Sequence, residues 1–365
     1  MILMNDFKDE PEELRQRELA AVERVLRSGW YVLGNEVKAF EAAWADRCGT
    51  RDAVGVGNGM DAIEIGLRAS GIGVGDEVIT TPMTAFATIL AIIRSGATPV
   101  LADIDLQSAL LSVTSAERCV STRTRAVLLV HLYGQVRNMV QWETFCKKHG
   151  LLLLEDCAQA HLAEWSGRIA GSFGKFGAYS FYPTKNLGAI GDAGALVTND
   201  TELSIRAKRL RNYGQSERYH HPELGMNSRL DEIHAAILTE RLAWLDSFTQ
   251  TRRNIADAYH LRISNPKVNL LARPEQPNSH VYHLFVVTSE ERDRLASYLT
   301  VAEIGNHSHY PIPVHRQVPC LNTKTDPAGL PNSEQHAKEC LSIPCHPQMT
   351  QTQIKNVIEV INAFR

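Results

Sequence analysis

A chain of 365 residues with 44% hydrophobic and 22% charged side chains has the make-up of a globular protein with enough apolar sequence for more than one core. Its formal net charge of −3, with no basic stripe or polybasic tail, argues against nucleic acid or an anionic membrane surface as partner. No apolar run is long enough to span a bilayer, and seven scattered cysteines lack the paired spacing of a zinc or redox site, so reduced thiols are expected and no metal is implied.

The first residues, with Asp6, Lys8, Asp9 and Glu10, lack the charged-then-apolar layout of a signal peptide, and a cytoplasmic setting is expected. From Pro11 to Ser28, Leu14, Leu19, Val22, Val25 and Leu26 fall near a helical stripe, with Pro11 placed for a first turn and Gly29 for the stop. A second helix presents Val37, Phe40 and Trp44 on one face and ends at Gly49. Short apolar runs then alternate with helical patterns. The runs are Ala53 to Val56, Glu77 to Thr80, Thr98 to Ala102, Ala126 to Leu132, Leu151 to Leu154, Phe176 to Tyr182 and Gly194 to Thr198. This rhythm predicts a mostly parallel, seven-stranded sheet covered by helices on both faces. Leu151 to Leu154 has no polar residue and reads as a central strand.

After Gly194 the character changes. A basic helix is expected over Leu203 to Leu210, a polar loop over Asn212 to Gly225, and one long helical pattern from about Leu230 to Leu261. Polar, proline-containing sequence from Asn265 to Ser279 looks like a boundary or surface excursion. A strand over His283 to Thr288, a helix over Ser289 to Leu299, an extended stretch over Pro311 to Val314 and a closing helix over Gln351 to Phe364 follow. The expected fold class is α/β: a large α/β domain over residues 1–240 and a smaller C-terminal α+β domain over 241–365.

Four features carry chemistry. Pro183 stops the ladder after Phe176 to Tyr182, which leaves Lys185 on a loop at a strand's end, where open α/β sheets place their reactive groups. Among apolar and small neighbours its amine would be partly desolvated and available as nucleophile or base, although a solvated loop lysine is the plainer reading of Lys185 alone. Asp156 stands at the mouth of the all-leucine strand, where a carboxylate needs a cationic or hydrogen-bonding partner; the protonated ring nitrogen of pyridoxal phosphate is one, and a helix cap is the alternative. Gly55-Val56-Gly57-Asn58-Gly59-Met60-Asp61, between a strand and a helix, offers backbone N–H groups to a phosphate, or is an ordinary βα turn. Ser180 is a second phosphate donor near the strand's end. No Walker lysine motif appears and the dinucleotide pattern is incomplete, which weakens the ATPase and dehydrogenase readings.

Over nearly its whole length the chain resembles the DegT/StrS-type sugar aminotransferases, a family of fold-type I pyridoxal phosphate enzymes. Trp30 to Glu41 is similar to the family's N-terminal signature, Gly57-Asn58-Gly59 to its phosphate turn, Glu155 to His161 to its pyridine-nitrogen segment, and Ser180 to Gly188 to its Schiff-base segment. Asn227 to Glu232 and His309 to His315 match two later motifs. The resemblance implies that Lys185 holds the cofactor aldehyde and shuttles the proton, and that Asp156 partners the ring nitrogen. It puts Gln159 beside the ring near the phenolic oxygen, and Gly59, Met60 and Ser180 on the phosphate. It also implies that Asn227 reaches the phosphate of a neighbouring subunit, so that a homodimer shares its sites. His309, Tyr310 and His315 would approach the sugar nucleotide, or form a structural turn with packed rings. Two positions depart from the family pattern: Thr84 is followed by Ala85 before Phe86, where relatives stack an aromatic residue on the ring, and His234 replaces a glutamine.

The implied reaction takes an amino group from L-glutamate and gives it to a nucleotide-linked ketosugar. Relatives that dehydrate carry histidine where this chain has Lys185, which favours transamination. The pairing of Trp30 to Gly34 with Gly57 to Ala62 is most similar to members that aminate C3 of a dTDP-3-keto-6-deoxyhexose. C4 amination of a 4-keto-6-deoxy sugar nucleotide and aminocyclitol transamination are the alternatives. A non-catalytic regulator that binds the cofactor is the reading of another class.

Overall fold

The computed structural model describes residues 1–365. Helices α1 (Glu12–Ser28) and α2 (Asn35–Cys48) open the chain, and Gly29 ends α1 at φ 65°, a left-handed conformation that a side chain resists. The alternation that follows is β1 (Asp52–Val56), α3 (Gly59–Ala69), β2 (Glu77–Thr80), α4 (Phe86–Arg94), β3 (Thr98–Leu101), α5 (Val113–Cys119), β4 (Thr124–Val130), α6 (Met139–His149) and β5 (Leu152–Asp156). A hairpin of β6 (Glu164–Trp165) and β7 (Arg168–Ile169) precedes β8 (Gly177–Ser180) and β9 (Gly194–Thr198). The remainder runs α7 (Thr201–Leu210), α8 (Glu232–Leu242), α9 (Leu245–Arg262), β10 (Asn269–Leu270), β11 (Phe285–Thr288), α10 (Arg292–Val301), β12 (Lys324–Thr325), α11 (Pro331–Glu339), β13 (Cys340–Ile343) and α12 (Gln351–Ala363).

The large sheet has the order β1-β9-β8-β5-β4-β2-β3-β12. All seven anticipated runs are strands of it, and the all-leucine run is interior, between β8 and β4. The expected count of seven is corrected to eight, because β12 comes back from the C-terminal third and pairs parallel to β3. Only β9 runs against its neighbours. With β9 reversed, β1, β8, β5, β4 and β2 all end at one edge of the sheet. Apolar residues of α2, α6 and α8 cover one face, and those of α3, α4 and α7 the other.

A second correction concerns the expected single helix from Leu230 to Leu261, which is two, α8 and α9, interrupted at Ala243 and Trp244. From α9 onward the apolar residues change core. Ile255, Ala256 and Tyr259 pack with α10, α12 and the three-stranded antiparallel sheet β10-β11-β13, a cluster that Ile2 joins from the N-terminus. No helix is long and apolar enough to cross a membrane, and all seven thiols are buried.

Candidate active site

The shared edge of the sheet gathers Asp156, Lys185, Ser180, Gly59 and Met60 of the predicted residues. Asp156 is the last residue of β5 and lies beside Ala178 of β8 in register, so its carboxylate emerges next to the strand that leads to Lys185. It is only 5% exposed. Thr88 of α4 donates to its Oδ2 at 2.8 Å and the Ala158 N–H to its Oδ1 at 3.1 Å. Burial raises the Asp156 pKa, and these two donors and the nearby Lys185 charge pull against that rise.

Lys185 follows a tight turn in which its own N–H donates to the Tyr182 carbonyl at 2.8 Å. Burial pulls its ammonium down to about 8, with the Asp156 charge acting in the opposite direction. An amine of that pKa is neutral in a useful fraction of molecules near neutrality, which an ordinary lysine is not. The next residue anchors the loop. Asn186 donates from Nδ2 to the Val281 carbonyl at 3.0 Å and lies 3.3 Å from His283 Nδ1, which ties the lysine to the segment leading into β11.

Two strands away, β1 hands over to α3. Asn58 caps the helix by accepting the Asp61 N–H at 2.9 Å, and Gly59 and Met60 are left with N–H groups that no helix carbonyl can take. A Cβ on Gly59 would lie 2.7 Å from the Ser180 Cβ, so glycine is what lets the helix start touch the serine. Ser180 Oγ accepts the Tyr182 N–H at 3.3 Å and keeps its own hydrogen to donate. Three donors thus converge, with the positive end of a helix dipole behind them.

Gln159 is oriented from one side. The Tyr133 N–H donates to its Oε1 at 2.6 Å, so its amide NH2 is the end left to face the site, 3.4 Å from the Tyr310 hydroxyl. His309 lies close enough to Lys185 for that charge to depress it; burial, His307 and Lys185 together bring it to about 4, and its Nδ1 is 2.8 Å from Ser342 Oγ. His315 has another partner: its Nε2 is 3.0 Å from Glu334 of α11, and no contact links it to Lys185 or Asp156. Asn227 is exposed and bonded to none of the residues above. Phe86, weighed for ring stacking, packs on the core beneath α3 and α4. The His234 ring lies against Gly191, where a Cβ would come within 3.2 Å of it, so the replacement sits beside the Lys185 loop.

Two residues went unrecognised as site residues in the sequence. Thr88 carries the hydroxyl on Asp156, and the signal was its spacing four residues from Thr84 across the first turn of a helix. Glu155 is the second. Its carboxylate accepts the N–H groups of Gly171, Phe173 and Gly174 and lies 2.9 Å from His131 Nε2, and so fixes the turn that feeds β8.

Pyridoxal phosphate fits these residues. The buried carboxylate lacks a full counter-charge that a protonated ring nitrogen supplies, the amine is depressed toward nucleophilic use, and the helix start with Ser180 suits a phosphate. Fold and site together define a pyridoxal phosphate-dependent aminotransferase. The chain belongs to the DegT/DnrJ/EryC1/StrS aminotransferase family, whose sequence model matches residues 12–362. It is 44% identical over 362 residues to a dTDP-3-amino-3,4,6-trideoxy-alpha-D-glucose transaminase of Streptomyces venezuelae, covering 98% of this chain and 95% of that one. It is 39% identical over 363 residues to a pleiotropic regulatory protein of Geobacillus stearothermophilus, covering 99% and 98%. The crystal structure of S. venezuelae DesV in complex with a ketimine intermediate superposes with a TM-score of 0.94 at 43% identity, over 98% of this chain and 96% of that one.

Proposed function

We propose that the enzyme transfers the amino group of L-glutamate to C3 of a nucleotide-linked 3-keto-6-deoxyhexose, with dTDP as the nucleotide, and that it does so in the cytoplasm as a homodimer with shared sites. The 44% identity to a dTDP-3-amino sugar transaminase over nearly the full chain carries the substrate reading. Lys185, half-buried and drawn to about 8 beside Asp156, carries the reading as a working enzyme.

Bound at this edge, pyridoxal phosphate supplies an aldehyde carbon that bonds to amines and a ring that accepts the electron pair left when a proton departs. Asp156 accepts the ring N–H and keeps that proton in place. Lys185 Nζ would hold the cofactor through its aldehyde carbon and, once the donor's amine has displaced it, would carry a proton from the donor's α-carbon to that aldehyde carbon, two bonds away across the nitrogen. Gln159 presents its NH2 to the phenolic oxygen. The Gly59 and Met60 N–H groups and Ser180 Oγ hold the phosphate, and Asn227 of a second copy completes that cradle. His309 and Tyr310 line the approach of the sugar nucleotide. His315 belongs to the same motif, with its Nε2 on Glu334.

A visible absorption spectrum before and after L-glutamate tests the first half-reaction. The yellow band of the resting enzyme should give way to the aminated cofactor's band in the near ultraviolet, and Lys185→Ala should fail to turn over. The relationship to a regulatory protein favours a second reading, a cofactor-bound regulator. That reading predicts a band that glutamate leaves unchanged. Incubation of the aminated enzyme with 3-keto and 4-keto sugar nucleotides then decides the position; turnover of the 4-keto compound alone would replace C3 by C4.

A further inference from the structure

Thr84, two residues before α4, and Thr88, in its first turn, are four positions apart, and both are buried. An ionised Asp156 has no hydrogen to give, so across the 2.8 Å contact with its Oδ2 Thr88 Oγ1 is the donor. With its one hydrogen spent there, the 2.7 Å contact between the two threonine hydroxyls is a bond only if Thr84 Oγ1 donates to Thr88 Oγ1. The two hydroxyls therefore form a one-way chain that ends on the carboxylate, each donor polarising the next. A helical threonine ordinarily turns its hydroxyl back to the carbonyl four residues earlier; Thr88 gives that up for Asp156.

We propose that Thr84 and Thr88 are positioning residues that keep Asp156 ionised and fixed in orientation for the ring nitrogen of pyridoxal phosphate. The inference rests on the role given to Asp156 above and extends it to two residues on another element. The need is electrostatic. The groups that face Asp156 are Lys185 from the loop after β8, His131 from the end of β4, Cys157 on its own strand's end and the Tyr310 hydroxyl from the segment before α11. Among these, Lys185 is the strong cation, and a residue that gains and loses a proton during the reaction cannot hold a neighbour's charge constant. Hydroxyl donors do not titrate in this range. They stabilise the carboxylate equally through every stage, in a setting too dry for water to do so.

The test uses the full chain freed of cofactor and titrated with pyridoxal phosphate, followed by visible absorbance, with thermal unfolding recorded in parallel. Thr88→Val keeps the shape and removes the hydroxyl. It should raise the dissociation constant about tenfold, the loss of one hydrogen bond to a charged group. It should also move the acid limb of the kcat/KM profile to higher pH, because the carboxylate then protonates more readily. Thr88→Ser restores the donor and should restore both readings to within about twofold. Thr84→Val removes only the outer hydroxyl and should shift both readings in the same direction by less, and it carries the test if Thr88→Val does not fold. Unchanged affinity and an unshifted limb in Thr88→Val, or an equal loss in Thr88→Ser, would overturn the proposal, since the methyl group and its packing would then be what matters. Asp156→Ala separates the two levels. If it binds cofactor and turns over normally, the role of Asp156 falls; if it fails while Thr88→Val does not, only the threonine chain falls.

Discussion

Lys185 is useful because its charge is expensive where it sits. Burial draws the ammonium from its ordinary 10.5 to about 8, while Asp156 holds it up. The sign of that coupling makes a prediction. In the cofactor-free chain, modification of Lys185 by a water-soluble acetylating reagent, read by peptide mass, should rise with pH around a midpoint near 8, the pH at which the reactive neutral amine reaches half its population. Asp156→Asn removes the supporting negative charge and should move the midpoint lower. A midpoint near the ordinary lysine value, unmoved by Asp156→Asn, would mean that the side chain is solvated and uncoupled. Gln159 makes a related point about residues. A glutamine near Asp156 is legible in the sequence; that its Oε1 is already taken by the Tyr133 N–H, which leaves its NH2 free to donate, is not.

At the scale of elements, much of the N-terminal signature proves to be a latch. Both carboxylate oxygens of Glu232, at the start of α8, accept backbone hydrogens from the start of α2: Gly34 at 2.7 Å, Glu36 at 2.9 Å and Val37 at 2.9 Å. A buried acid from another helix thus caps α2, whose preceding Gly34 has no side chain to do so. Phe40 packs against Trp44 and Phe181, and Glu41 accepts the Gly55 N–H at 2.7 Å and pairs with Arg211, so the same stretch also pins β1. Glu232→Ala should lower unfolding stability by about 3 kcal/mol, read by urea denaturation, because two buried N–H groups and one part-buried one lose their acceptor. Glu232→Gln should cost roughly half as much, since one amide oxygen can still serve the two donors now on Oε1. A loss below about 1 kcal/mol in the alanine variant would show that water replaces the acid. The break between α8 and α9 belongs to this scale too. Ala243 and Trp244 keep nearly helical dihedrals, so local sequence carries no stop signal; the chain turns because α8 is claimed by the large core and α9 by the small one.

At the scale of the whole molecule, several large apolar side chains are left exposed. Trp30, Tyr31, Tyr182, Ile190 and Tyr213 are all exposed, Tyr182 and Ile190 flank the Lys185 loop, and Asn227 is exposed as well. Such a surface is what a homodimer with shared sites would bury. Mixing two weakened variants tests the sharing. Lys185→Ala and Asn227→Ala chains, unfolded together and refolded, should regain about a quarter of wild-type activity, because half the dimers are mixed and each mixed dimer has one site with both residues intact. No recovery above the separate variants would mean that Asn227 serves its own chain.

The sequence by itself determined seven strands of the sheet and the strand ends at which Lys185 and Asp156 stand. Apolar runs alternating with helical patterns fix strands locally, while a lysine after Pro183 and an aspartate after an all-leucine strand carry their own signal. Only the tertiary structure decided the eighth strand, the break after α8, the partner of His315 and the threonine chain on Asp156. Each of these depends on groups far apart in sequence meeting in space. β12 is two residues long and finds β3 more than two hundred residues away, and Thr88 meets Asp156 across 68 positions. Periodicity reports which face of an element is buried; it does not report against what, and the hydrogen bonds that tune a site are made with that unreported neighbour.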